Sequence, residues 1–535
     1  MRDPLAEGTV GRASATAWNV HLGRDADDTL LRGLGSGSLA AAFRETADAH
    51  ADAPALTIDD VPSTHGELDD RAARAAGWLR ARGIEPGDRV LLCASNSLAL
   101  VVAYLATIRV GATAVPAGAT LTRPELAEIA TRAAPTAAFA AGPAVSILRT
   151  VAADRWPVIA LDDAPGPSLV EAEATGEPRE PLDLPGSATA LLAFTSGTTG
   201  RPKGVPLSHA NLLSSIRAAM LAWRWSPDDV LVHALPLSHQ HGLGGVHATL
   251  LAGSRAVIHG RFDAARLAEG VADERATVLF AVPAMYQRLV GSGAIGTAAF
   301  ASLRLAISGS APLSPALFER ATELLGRRPL ERYGTTESGL DTSNPYEAGG
   351  RPGSVGLPLP GISMAIADPG GMPAEPGSEG EIVFRGPQVF AGYTDGDDTA
   401  AAFHPGGWFR TGDIGRVEPR DGVLTITGRS KEVVITGGLN VHPREVELAL
   451  ETHGQVGAAA VVGVASERWG EEVVAFVVPA SGRAPSDDDL IAHARARLAA
   501  HKCPKRIIAI DELPVNAMGK LDRERLRELA GPGRT

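Results

Sequence analysis

The stretch TSGTTGRPKG, residues 195–204, is dense in glycine and hydroxyl groups and closes on a lysine. A phosphate loop of the common type places four residues between its first glycine and a Gly-Lys-Ser/Thr end. Here Gly197 is followed by Thr-Thr-Gly-Arg-Pro-Lys-Gly, so that rule fails. The residue types still suit an anion. The hydroxyls of Thr195, Ser196, Thr198 and Thr199, the amides of Gly197 and Gly200, and the ammonium of Lys203 can together surround a triphosphate or a departing pyrophosphate. The apolar run before it ends near Phe194 and reads as a strand, and SHANLLSSIRAAM after it reads as a helix capped by Ser208. The carboxyl end of a strand is where open α/β folds bind ligands.

Outward from this loop the same rhythm repeats. A helix over residues 67–82, RVLLCAS from Arg89, another helix and ATAVPA from Ala112 precede it; DVLVHALP (229–236), ATVLFAVP (276–283) and LRLAISG (303–309) follow. Strand, helix, strand in this order implies parallel sheets covered by helices. After about Gly353 the texture changes to short, Gly- and Pro-punctuated strands such as GEIVFRG (380–386) and GVLTITG (422–428), which predict a small barrel or antiparallel unit. From GRSKE onward a further α+β pattern runs to the end, with a helix near residues 487–499. The expected fold is therefore α/β: a large N-terminal region, residues 1–428, of helix-covered sheets plus a small barrel-like subdomain, and a smaller mobile α+β domain over 429–535. GLGSGS (33–38) looks like a dinucleotide loop, but no strand precedes it.

With 535 residues the chain has room for three or four compact units. Fifty basic and 62 acidic residues leave a net charge of −12 with no basic arm, which argues against nucleic acid and acidic membranes as partners. Cys93 and Cys503 stand far apart without metal spacing, so a reducing compartment is expected. The N-terminus lacks a signal-peptide core and no stretch reaches about 18 apolar residues. A cytoplasmic location is the expectation from these features.

Four more motifs follow the loop in order: ERYGTTES (331–338), GWFRTGDIG (407–415), GRSKEVVITGGLNVHPREVE (428–447) and PVNAMGKLDRERLRE (514–528). Together with the loop they resemble the adenylate-forming superfamily of acyl-CoA synthetases, adenylation domains and luciferases, over nearly the whole chain from about residue 40. The resemblance implies ATP, Mg²⁺ and coenzyme A as reactants and cofactors. It assigns the nucleotide to the loop 195–203, Ser310, Tyr333, Gly334, Thr335, Thr336, Asp413 and Arg429, with Tyr333 against the adenine and Asp413 on the ribose. Glu337 would hold Mg²⁺. Lys520 would bridge the carboxylate and the α-phosphate, with Thr195 and Lys203 as further catalytic groups. The chemistry explains the types: a carboxylate ionised at pH 7 needs no general base, but it needs cations and dipoles to offset the repulsion between two anions. The same resemblance implies a lid hinged at Lys431 that brings Gly437, Gly438 and Leu439 to a CoA tunnel gated by His239.

LPLSHQHGLGGVHATL (235–250) carries His239, His241 and His247, yet no Cys or carboxylate completes a zinc set. The resemblance places His241, Ser308 and Ser310 at the acyl pocket. No Asp precedes this segment as in amino-acid-activating relatives, and the chain ends soon after Lys520, so free CoA rather than a carrier protein is the expected acceptor. SGSAPL, VPAMYQRLV and residues 330–356 are most similar to malonyl-CoA synthetases, in which the position of Arg288 supplies a cation for the second carboxylate. Thr335 and Leu439 depart from that pattern, where Met and an aromatic residue are usual. The expected substrate is malonate or methylmalonate; the alternatives are a medium-chain or cyclic acid and, from another class, a luciferase-like oxygenase or an inactive nucleotide-binding protein. Oligomeric state is not encoded in these motifs.

Overall fold

A computed structural model describes residues 3–7, 18, 31, 33–196, 202–430, 432–437, 439–466, 468–480, 485–515 and 521–531. Gly197, Thr198, Thr199, Gly200, Lys431, Gly438 and Lys520 lie outside them.

Two large sheets carry the N-terminal region. In the first, six strands lie side by side in the order Leu330–Tyr333, Leu305–Ser308, Val278–Ala281, Val230–His233, Arg255–Ile258 and Pro54–Ile58, all parallel to their neighbours. Thr342–Ser343 and Leu357–Pro358 extend one edge and Val61–Thr64 the other, antiparallel. The second sheet runs Val158–Ala160, Ala137–Ala140, Arg89–Cys93, Thr113–Ala117, Thr189–Ser196 and Pro202–Ser208. Its first five strands are parallel and the last is antiparallel. The parallel strands are apolar on both faces because helices cover both sides; Leu98–Arg109, buried along almost its whole length, packs between the sheets.

One expectation changes here. The glycine-rich loop does not lead from strand to helix. It joins the two antiparallel strands Thr189–Ser196 and Pro202–Ser208, and the helix His209–Ala222 starts only after the second, capped by Ser208 with Asn211 reaching back. Val205 and Leu207 are buried while Pro206 and Ser208 are partly exposed, a period of two that marks a strand.

The third sheet is antiparallel, Ser363–Ala367, Gly380–Arg385 and Trp408–Val417 in order, with Phe403–His404 and Leu424–Arg429 both pairing onto Trp408–Val417. Among the described residues its strands branch rather than close into a barrel. Residues after Arg429 build a fourth sheet around the long hairpin Val456–Ser466 and Gly470–Pro479, with its own apolar core. The helix Pro443–Glu451 from this unit lies beside the strand Leu424–Arg429, and His442 touches Gly428 so closely that a Cβ there would come within 2.9 Å of Nδ1. Both cysteines are buried and free.

Candidate active site

Of the expected site residues, Thr195, Ser308 and Tyr333 stand at the carboxyl ends of parallel strands, while Lys203, Asp413 and Arg429 come from antiparallel ones. On the hairpin, Thr195 stands opposite Lys203. The Lys203 ammonium pairs with the Asp398 carboxylate and lies 5.2 Å from the centre of the Tyr393 ring. Tyr393 in turn donates its hydroxyl to Glu337 Oε1 at 2.9 Å, and Thr394 N–H donates to the Gly204 carbonyl at 2.9 Å. Segment 393–398 therefore ties the base of the loop to Glu337 of ERYGTTES. The loop's lysine, the carboxylate and a cavity of about 170 Å³ bounded by Arg132, Lys203, Tyr393 and Asp398 form one polar corner.

Tyr333, at the end of its strand, is buried, and its hydroxyl donates to Asp413 Oδ2 at 2.5 Å. Asp413 and Arg429 face each other in adjacent strands, with Arg429 Nε 2.8 Å from Asp413 Oδ1. Burial and the Asp413 charge push the Tyr333 phenol well above its ordinary range, so it stays a neutral donor; Asp413 likewise raises Arg429. The turn after Tyr333 is tight. A Cβ on Gly334 would meet the Gly339 carbonyl oxygen at 1.8 Å, Thr335 Oγ1 accepts from Ser338 N–H at 3.2 Å, and Gln240 holds the Thr336 carbonyl at 2.8 Å. Glu337 emerges from this turn half-buried.

A second group of polar side chains surrounds Gly309. Ser310, at a left-handed φ of 70°, contacts His241 Nδ1 through its hydroxyl at 3.3 Å, and the His241 ring sits 5.4 Å from Phe280. The Arg332 guanidinium lies against Gly309, where a Cβ would come within 2.4 Å of Nε. Arg332 Nε, His241 Nε2 and Ser308 Oγ are all buried without a hydrogen-bond partner. Burial pulls Arg332 down to about 10, leaving it cationic at neutral pH. Burial, then Arg332 and His233, holds His241 far below the ordinary histidine range, hence neutral. Unsatisfied buried polar atoms are costly; Arg332 Nε and His241 Nε2 lie on the sheet face that carries Phe280, whereas Ser308, paired with Glu331, points to the opposite face.

Arg288 is not the buried cation of this group. Tyr286 and Leu289 turn into the core, with the Tyr286 hydroxyl on the Ile307 carbonyl at 3.0 Å. At about 100° per residue that rotates Arg288 to the outer face, where it is exposed with its guanidinium 4.8 Å from the Phe262 ring. His247 is a core residue on Tyr104, its Nε2 2.8 Å from the hydroxyl, and no group of three metal-ligating side chains occurs among the described residues. His239 is exposed at the start of the helix Gln240–Ala252. Across the site, the hairpin Val434–Thr436 and Leu439–Val441 leaves Leu439 and Ile435 half-exposed, with Gly437 N–H bonded to the Trp469 carbonyl at 2.8 Å.

The AMP-binding enzyme model matches residues 43–394, and the model for the AMP-binding enzyme C-terminal domain matches 445–520. The chain belongs to the AMP-binding enzyme family. This AMP-binding enzyme is 36% identical over 476 residues to a feruloyl-CoA synthase from Amycolatopsis sp, covering 88% of this chain and 94% of that one. It is 34% identical over 483 residues to a mitochondrial malonate–CoA ligase from Bos taurus, covering 83% and 81%. Its fold superposes on ATP-bound MatB from Rhodopseudomonas palustris with a TM-score of 0.86 at 37% identity, covering 92% of this chain and 98% of that one. It is accordingly an adenylate-forming acid–CoA ligase that uses a carboxylic acid, ATP and CoA. No helix among the described residues is long and apolar enough to cross a membrane.

The geometry adds four residues to those the motifs of this AMP-binding enzyme supply: Arg332, Tyr393, Asp398 and Gln388, whose amide donates to the buried Asp341 at 3.1 Å. Arg332 stands inside ERYGTTES next to Glu331, and its burial shows only once the strand is covered on both sides. Tyr393 and Asp398 lie about 60 residues further on, with no local signal.

Proposed function

We propose that the enzyme makes the CoA thioester of a small acid bearing a second anionic group, with malonate or methylmalonate first. The observation that carries this is Arg332, a buried cation beside Gly309 whose Nε is unpaired and whose neighbour His241 also presents an orphaned polar atom. An apolar acyl chain would leave these groups unsatisfied, whereas a carboxylate satisfies them and is itself spared an unpaired burial. The malonate–CoA ligase relative supports this reading; the feruloyl-CoA synthase relative, with Phe280 beside His241, supports an aromatic acid instead.

In the proposed mechanism the reacting carboxylate attacks the α-phosphorus, an O–P bond forms and pyrophosphate departs. Lys203 and Thr195 meet the outer phosphates, and Asp413, oriented by Tyr333 and Arg429, accepts the ribose hydroxyls. The half-buried carboxylate of Glu337 fits Mg²⁺, which when bound would neutralise phosphate charge. Lys520 neutralises the first transition state only. The unit after Arg429 then swings about Lys431 so that CoA, entering past His239 and Gly437, displaces AMP from the acyl-adenylate. The division between residues 428 and 429 belongs to this proposal.

The test is AMP formation dependent on both acid and CoA across malonate, methylmalonate, propionate, butyrate and ferulate. Highest kcat/KM for a dicarboxylate is expected. Preference for ferulate would replace the reading with the aromatic-acid one, and preference for butyrate with a medium-chain ligase.

A further inference from the structure

Asp398 lies in no nucleotide motif, yet the chain goes to some length to deliver it. Its short helix, Gly396–Ala401, follows Tyr393, whose N–H donates to Thr399 Oγ1 at 2.9 Å. Thr394 is laid against the hairpin so closely that a Cβ on Gly204 would meet Thr394 Oγ1 at 2.6 Å. The result is the direct ion pair between Asp398 and Lys203, with the lysine side chain 21% and the aspartate 34% exposed. Other charges of the same cavity have local partners: Arg132 pairs with Glu128 on its own helix at 3.2 Å, and Asp395 accepts from Asp397 N–H at 3.2 Å. The Asp398 carboxylate is committed to Lys203.

We propose that Asp398 is a positioning residue that competes with the phosphates of the nucleotide for Lys203. It holds the ammonium at the cavity in the empty site, yields it to the triphosphate, and recaptures it as pyrophosphate leaves. This rests on Lys203 being the phosphate-holding lysine. A lysine ammonium is a compact point charge, so a second anion in contact weakens its hold on the first, and every anionic ligand binds against that competition. A site that releases Lys203 only to stronger anions also keeps its cation pre-organised on one side of the cavity between turnovers. Product release is the step this favours, since pyrophosphate has lost its covalent tether to the adenosine.

The experiment measures, by calorimetry on the full chain with Mg²⁺, the binding of pyrophosphate and of an ATP analogue with a methylene bridge between the α- and β-phosphorus. Asp398→Asn should tighten both by about two- to fivefold, the upper part of the range of a partly exposed ion pair removed as a competitor. In a Lys203→Met background the same substitution should change affinity less than about twofold, because the competition acts through Lys203. Unchanged or weaker binding in Asp398→Asn overturns the proposal. So does equal tightening in both backgrounds, which would mean general charge repulsion. Asp398→Glu should restore the weaker, wild-type affinity. If Lys203→Met alone leaves pyrophosphate affinity untouched, the assignment of Lys203 to the phosphates fails instead, independently of the Asp398 result.

Discussion

Replacing Arg332 with Met removes the buried cation while keeping most of the side-chain volume against Gly309. If Arg332 receives the second carboxylate, the variant strands that anion in a covered pocket, at about 3 to 5 kcal/mol. At 1.36 kcal/mol per decade, this lowers kcat/KM for malonate by roughly two to three and a half powers of ten. Butyrate, which has no second charge, should lose little or gain. The fold should not suffer: burial already pulls the Arg332 guanidinium down to about 10, so the empty pocket bears a cost for that charge, and the melting temperature of the variant should equal or exceed the wild type. Arg288→Ala is the control, an exposed residue whose loss should leave both acids within about twofold. The assay is initial-rate AMP release with each acid at saturating ATP and CoA. Parallel loss for malonate and butyrate in Arg332→Met would refute the reasoning, as would a malonate-selective loss confined to Arg288→Ala.

Three further outcomes are expected. Lys520→Ala should slow acyl-adenylate formation by on the order of a hundredfold or more, yet leave thioester formation from supplied acyl-adenylate nearly intact; half-reaction assays that fall together would remove its role. Lys431→Pro fixes φ and removes a backbone donor, so adenylation should persist while the thioester step stalls, as single-turnover measurements of each step would reveal. Burial pushes the Glu331 carboxyl up to about 7, above its ordinary 4.5. With the folded value raised, the native state holds its proton where the unfolded chain has lost it, so this stabilisation is full below pH 4.5 and disappears as pH rises through 7. Glu331→Gln should therefore gain stability relative to wild type over that window, by up to about 3 kcal/mol in denaturant titrations, and a difference independent of pH would contradict it.

The sequence carries the order of the chemistry-bearing motifs well, because glycines, hydroxyls and isolated charges are concentrated where parallel strands end. The strand-helix alternation sufficed for the two large sheets for the same reason: buried parallel strands are continuous apolar runs. The strand missed between the loop and the helix has a local cause. Pro202–Ser208 is a short strand with a proline at its start and another within it, and proline masks the strand propensity of its neighbours although both sit where the edge of the sheet tolerates them. Segment 393–398 was invisible because its meaning depends on a fold that brings Asp398 to Lys203 and Tyr393 to Glu337.

Arg332 is the instructive case, since Arg288 seemed the better cation on sequence alone. Leu330–Tyr333 reads as two apolar residues enclosing Glu331 and Arg332, and adjacent strand residues point to opposite faces. In a strand with one wet face, one of the two charges would sit in water and neither would attract notice. This strand is paired on both sides, all four of its residues are buried, and both charges are forced inward on opposite faces. On one face Glu331 Oε2 accepts from Leu313 N–H at 3.0 Å, its Oε1 has no hydrogen-bond partner, and burial raises its pKa so that the carboxyl is readily neutralised. On the other, Arg332 keeps its charge and has an unpaired Nε. Burial of a charge without a full set of partners is tolerated where the missing partner arrives with the substrate, so the covered strand with two consecutive charges points to the acyl pocket more directly than an arginine on a helix surface does.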